Sequence, residues 1–209
     1  MKRVVALSLL AALLLLAIPS SPASARQDPI PRSVVSLHYV DEKDRGIFCT
    51  GFVIDTKRRY VMTADHCIQA VLQPQIMQKR AWEVAHIPAL DVSIVQADAA
   101  WEIPALKMRK EPLVAGLKLR AYGYADGNEP VRRIDGQVVF HSFVFLSNPN
   151  YPLFLYRPKA IEGMSGGPIV DEAGKVISVC QQVSDRHDLA ISLQPEALWA
   201  VTQEWWGPQ

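Results

Sequence analysis

The sequence predicts an all-β domain, built as a sandwich or a pair of barrels and closed by one C-terminal helix. Three observations carry this. Short segments rich in β-branched and aromatic residues recur along the chain, turn residues separate them at short intervals, and only the last stretch spaces its apolar residues for a helix face.

The first element stands apart from that fold. Lys2 and Arg3 precede an unbroken apolar run from Val4 to Ile18, then Pro19, small residues and Ala23-Ser24-Ala25. A basic start, an apolar stretch of roughly 15 residues and an A-x-A site have the form of a secretory signal peptide, cleaved after Ala25. A retained anchor is the alternative, but spanning takes about 18 or more apolar residues. Residues 26–209 are then an exported domain, secreted or periplasmic, with no stable membrane insertion once the leader is gone. The net charge is +1, so nothing in the charge favours nucleic acid as a partner.

Strands follow in order. "SVVSLHYV" (33–40), "IFCTGFVID" (47–55) and "YVMTA" (60–64) carry the β-forming residues, with the polar Asp55–Arg59 as a hairpin turn between the last two. "AWEVAHI" (81–87) and "VSIVQA" (92–97) complete a first set. Residues 101–116, with two prolines and mixed charge, read as a connector over the surface. A second set follows: 117–125, 136–146, 152–158, 166–170 and 175–183, separated by Asp126-Gly127-Asn128, Asn148-Pro149-Asn150 and Asp171–Gly174. From Pro195, "PEALWAVTQEWW" places Leu198, Val201 and Trp205 on one helix face, with Pro195 suited to the first turn.

The three cysteines are Cys49, Cys67 and Cys180, an odd count that leaves one thiol over in an oxidising compartment. Cys180 ends the apolar run "VISVC" and reads as a buried small hydrophobe. A bridge closing the loop from Cys49 to Cys67 would add about 3 kcal/mol in the chain-entropy view.

The chemistry concentrates in three places. Residues 162–170, "EGMSGGPIV", enclose Ser165 with Gly163, Gly166 and Gly167. A serine hydroxyl becomes a nucleophile when a histidine takes its proton and a carboxylate holds that histidine. His66 lies in "YVMTADHC" at a strand end, and Asp91 lies in "LDVSIV" before an apolar strand, with Asp98 as the other acid in that region. Glycine permits an unusual turn and lets substrate approach main-chain N–H groups that can hold an oxyanion. His38, His86, His141 and His187 lack such a setting.

"TADHC", "DVSIV" and "GMSGGPIV", in the order His, Asp, Ser, resemble the trypsin/chymotrypsin-like serine peptidase family, in the pattern of its compact bacterial members. The likeness runs over roughly residues 34–194: "CTGFVI" resembles the lead-in to the histidine, "AYGYADG" with "RRIDGQVV" the opening of a second barrel, and "GGPIVDEAGKVISV" the hairpin after the nucleophile. The resemblance implies two six-stranded antiparallel barrels, the first over about 33–100 and the second over about 116–194, and a helix over about 195–206. It implies an endopeptidase acting on polypeptide substrates without metal or cofactor. Ser165 would attack, His66 would act as general base and acid, Asp91 would orient His66, and the Gly163 and Ser165 N–H groups would form the oxyanion hole. Cys49 and Cys67 match the family's bridge beside the histidine. Gln181, Gln182 and Val183 match the strand edge that pairs with substrate.

The chain also departs from the family. Met164 stands where digestive relatives carry an aspartate that pairs with a newly cut N-terminus, so this chain is expected to need no activation cleavage. The short span between His66 and Asp91 implies a minimal first barrel. Asp65 is not needed by the mechanism and reads as a surface or capping residue. The family's usual pocket floor falls on Lys159, which would favour an acidic side chain. The rival readings are an inactive binding module on the same fold, an esterase and a disulfide-stapled structural domain.

Overall fold

The computed structural model describes residues 28–40, 46–69, 74–98, 100–127, 130–145, 148–184 and 188–207. The leader expected at residues 1–25 lies outside them. Among the described residues, no helix is long and apolar enough to cross a membrane.

Six strands form the first unit: β1 (Val34–Val40), β2 (Gly46–Asp55), β3 (Tyr60–Thr63), β4 (Gln75–Ile76), β5 (Lys79–Ile87) and β6 (Val92–Ala97). They close into an antiparallel barrel in the order β1-β2-β3-β6-β5-β4, the last seam made where Leu37 faces Ile76. Side chains alternate between two faces. Val35, Leu37, Val53, Val61, Val95 and Ala97 fill the interior. Phe52, Ile54, Met62, Val92 and Ile94 point out of the barrel, yet they too are buried, against the second unit. Covering both faces is why β3 and β6 read as nearly continuous apolar runs. At about 1.5–3 kcal/mol for each such side chain, as an upper bound, this seam is worth on the order of 10 kcal/mol. That is a whole domain's stability, so the two units stand or fall together.

The second unit holds β7 (Lys118–Gly123), β8 (Arg132–Phe145), β9 (Asn148–Arg157), β10 (Pro168–Asp171), β11 (Val176–Val179), β12 (Gln182–Ser184) and β13 (Leu189–Leu193). Their order is β11-β10-β7-β8-β9-β13-β12, a sheet curled into a half-barrel around Leu119, Ala121, Phe154, Tyr156, Ile169 and Ile177. The two edge strands, β11 and β12, are consecutive in the chain. The sequence reads 175–183 as one strand, but its ladder breaks at Cys180-Gln181. There the Cys180 N–H and carbonyl turn to Gly167 O and Gly166 N, at 2.8 Å each. The seam of this unit is therefore spanned by the chain itself, where the first unit spans its seam with a ladder. The two-residue β4 and the apolar strand β13 are not among the strands expected from the sequence.

The residues around the units seal the seam. Helix α1 (Pro195–Thr202) buries Ala197, Leu198 and Thr202. It stops short of the expected residue 206 because the chain diverts to bury Trp206. The Trp206 ring packs 6.1 Å from Phe52, its Nε1–H donates to Leu106 O at 3.0 Å, and the Gly207 N–H donates to Ile54 O. The connector, read as surface, is half sunk: Leu106, Met108 and Leu113 are buried, and Leu106 N–H donates to Val53 O.

Candidate active site

His66 sits inside a 3-10 turn, Asp65–Cys67, that begins as soon as β3 ends. Asp91 closes another 3-10 turn, Pro88–Leu90, just before β6. Because β3 pairs with β6, with Thr63 opposite Ser93, both turns emerge at the same barrel end. Asp91 adopts a left-handed backbone (φ 52°), a region that aspartate tolerates better than most side chains.

Asp91 then grips His66 twice. Its Oδ1 accepts from the His66 main-chain N–H at 2.8 Å, and both carboxylate oxygens lie 2.8–2.9 Å from Nδ1. This bond is the main cause that holds the His66 imidazolium above the ordinary histidine range; burial works against it, and the charges of Asp91 and Asp65 add to it. With Nδ1–H donated to Asp91, Nε2 of the neutral ring is left as the proton acceptor.

The serine lies on the other unit, in two consecutive turns. Met164 N–H bonds to Ile161 O at 3.1 Å, and Gly167 N–H bonds to Met164 O at 2.9 Å. Each turn has glycine at its third position with φ above 80°, Gly163 in one and Gly166 in the next, which is the type II pattern. A Cβ on Gly166 would also strike the Thr50 carbonyl and the Thr63 hydroxyl, so two constraints demand glycine there. Of the N–H groups from 163 to 167, those of Met164, Gly166 and Gly167 are spent inside the protein. Those of Gly163 and Ser165 make no hydrogen bond among the described residues. The turns leave free, among the described residues, the two donors that the family resemblance implies for an oxyanion hole. Ser165 is half buried, and its hydroxyl makes no hydrogen bond among the described residues. In substrate-free sites such bonds often form only on binding.

The halves are joined by residues that the sequence did not single out. Thr50, on β2 and wholly buried, uses every polar atom it has. Its N–H donates to Ser165 O (2.8 Å), its hydroxyl donates to Gly163 O (2.8 Å) and accepts from Tyr124 N–H (2.9 Å), and its carbonyl accepts from the Thr63 hydroxyl (2.8 Å). The Cys49–Cys67 disulfide forms as the resemblance implied. An imidazole nitrogen of His66 lies within 4.8 Å of both sulfurs, and Cys67 Sγ lies 3.8 Å from Ser165 O, so the bridge stands between histidine and serine main chain. With both sulfurs in the bridge, this trio has no thiolate to offer a metal.

A scan against family models matches residues 49–179 to the trypsin-like peptidase domain. The chain belongs to that family. No curated protein matches the sequence. Among solved structures, the fold is similar to the active form of the Rv3671c protease from M. tuberculosis (22% identity over 86% of this chain and 83% of that one, TM-score 0.71). It is similar to the HtrA-type protease AlgW with tripeptide (17%, 84% and 60%, TM-score 0.73) and to the serine endoprotease from Yersinia pestis (17%, 88% and 67%, TM-score 0.69).

The remaining residues singled out from the sequence fall as follows in this trypsin-like domain. Gln182 and Val183 lie on β12, an edge strand whose ladder among the described residues is to β13. Gln181 precedes it, and its side chain turns toward the first unit. Nε2 donates to the carbonyls of Leu90 and Asp91 (3.1 Å to the latter), while Oε1 accepts from Leu193 N–H. Lys159 is half buried and donates its N–H to Asp188 at 3.2 Å. Met164 is fully buried beneath Gly123. Cys180 is a free thiol pushed up to about 12 by burial, which keeps it protonated. Asp65 is a correction: far from surface or cap, it is wholly buried in hydrogen bonds. A cavity of about 890 Å³ lies between Asp28–Ser33, the connector and Glu172–Lys175, and none of the candidate catalytic residues lines it.

Proposed function

We propose that this chain is an exported serine endopeptidase using His66, Asp91 and Ser165. One observation carries the reading: the donors left free at Gly163 and Ser165 flank a serine on the loop that Thr50 and the disulfide tie to the His66–Asp91 couple. Ser165 Oγ attacks the scissile carbonyl carbon while its proton passes to His66 Nε2, and the oxyanion is held by the two N–H groups. His66 returns that proton to the leaving amine as the C–N bond breaks, giving an acyl-enzyme. Water, deprotonated by the same imidazole, then releases the acid. Substrate adds a strand at the free edge of β12, so main-chain pairing at Gln181–Val183 gives register. Lys159 gives a preference for an acidic side chain, moderated by the Asp188 carboxylate beside its main chain.

The test is to express residues 26–209, treat them with a fluorophosphonate and profile a peptide library. Covalent labelling of the native chain without prior cutting, its loss in Ser165→Ala, and enrichment of cleavage after Glu or Asp are the expected results. A folded, oxidised sample that takes no label overturns the peptidase reading. Labelling that appears only after further proteolysis overturns the expectation of no activation cleavage. Cleavage indifferent to acidic side chains removes Lys159 from the pocket.

A further inference from the structure

Behind the His66–Asp91 couple lies a second carboxylate and imidazole. The Asp65 carboxylate has no exposed surface. Its Oδ1 lies 2.6 Å from His86 Nδ1 on β5 and 2.5 Å from the Ser93 hydroxyl on β6, and its Oδ2 accepts from Gln69 Nε2 at 2.5 Å. Three elements therefore converge on one acid. The turn that carries His66 supplies it, and the strand that begins just after Asp91 supplies the serine. In the ladder, Ser93 lies between Thr63 and His86, so the cluster caps β3, β6 and β5 together.

Burying an ionised carboxylate costs several kcal/mol unless it is paired and hydrogen-bonded. A neutral asparagine would fit the same space and keep an acceptor for Ser93. An acid adjacent to the candidate general base therefore calls for a reason beyond packing. We infer that Asp65 and His86 form a positioning pair for the catalytic couple: the buried carboxylate locks the His66 turn onto the Asp91 strand, and the half-exposed His86 decides how much of its charge His66 feels. The pair rests on the reading of His66 as general base.

The electrostatics follow that geometry. The titratable groups acting on His66 are Asp91, in direct contact, and Asp65 behind it; both favour the imidazolium. His86 is the one titratable partner of Asp65 among the described contacts, with Ser93 and Gln69 as neutral donors. Histidines change charge between about pH 5 and 8, the range in which His66 must lose its proton to act as a base.

The experiment follows the His66 imidazole by NMR across pH, with its signals assigned by their loss in His66→Ala. This readout needs no turnover, so failure of the peptidase reading and failure of this one are separable. Asp65→Asn is expected to move the His66 titration down by roughly half to one pH unit, the effect of one charge several ångströms away at intermediate dielectric. His86→Asn keeps a donor for Asp65 but removes the imidazole that faces it, and is expected to move the His66 titration up. Packing alone does not produce shifts of opposite sign. A folded Asp65→Asn with the wild-type titration overturns the inference. If that variant does not fold, His86→Asn decides, and an unmoved titration there overturns it equally.

Discussion

On the first barrel, His66 and Asp91 are held by side chains and charge: a carboxylate that bonds both the ring and the main chain of its partner, a disulfide alongside, and a buried acid behind. On the half-barrel, Ser165 is held chiefly by main chain: two glycine turns, three satisfied N–H groups and a carbonyl fixed by the Thr50 N–H, with the Thr50 hydroxyl bonded to the Gly163 carbonyl. The difference teaches what each half can tolerate. The first can be altered one functional group at a time with the backbone intact, and its behaviour is written in pH. The second depends on positive φ, so its information lies in conformation, and a Cβ at Gly166 would displace the whole loop.

The largest effect should come from breaking the charged half. Asp91→Asn keeps the shape but lets the ring settle in the wrong tautomer, and about a 10⁴-fold fall in kcat is expected. The His66 titration should fall at the same time, because the bond that chiefly raises it is weakened. The sign also fixes pH behaviour in the wild type. Base catalysis needs neutral His66, so activity should rise with pH only above the ordinary histidine range. The stability that His66 contributes is fully present below its unfolded value and is lost as pH rises through the raised folded value. Activity-versus-pH curves of both proteins check this, and a wild-type acid limb at or below pH 6.5 would falsify it.

This contrast also explains what could be read from the sequence. The charged half announces itself through residue type: His66 before Cys67, and Asp91 before an apolar strand. The main-chain half announces itself through Gly163, Gly166 and Gly167, since few other residues take those turns. What stayed hidden are the ties between the halves. Thr50 looks like an ordinary strand residue in "FCTGF"; only the fold brings it to Gly163, 113 positions away. Asp65 looked idle because its partners, His86 and Ser93, reach it through barrel closure. The broken strand at Cys180-Gln181 could not be seen either, because its ladder is lost to hydrogen bonds with the loop that carries Ser165.

A sharper test joins the halves at Thr50. Thr50→Val keeps the volume but removes the hydroxyl that the Gly163 carbonyl and the Tyr124 N–H bond in a buried site, at about 1–3 kcal/mol each. If that cost falls on the oxyanion turn, kcat drops roughly 10- to 100-fold with KM little changed, and Thr50→Ser restores it. A loss in the serine variant with none in the valine variant would mean that the methyl group, through packing, is what matters at this position.

The smallest expected effect lies at Gln181, whose main chain is expected at the substrate edge while its side chain points elsewhere. The sequence places it on the edge that meets substrate; the structure turns its side chain away, onto the carbonyls of Leu90 and Asp91. Gln181→Glu removes the donors and sets a negative charge against those carbonyls while keeping length and shape. If the side chain braces the Asp91 turn, kcat should fall by about tenfold, the cost of roughly one hydrogen bond. The acid limb should also move to higher pH, because the added charge favours the His66 imidazolium. If the side chain instead contacts substrate, KM rises while kcat and the pH limb stay fixed. The split between kcat and KM in this one variant therefore decides whether the strand edge touches substrate through its main chain alone.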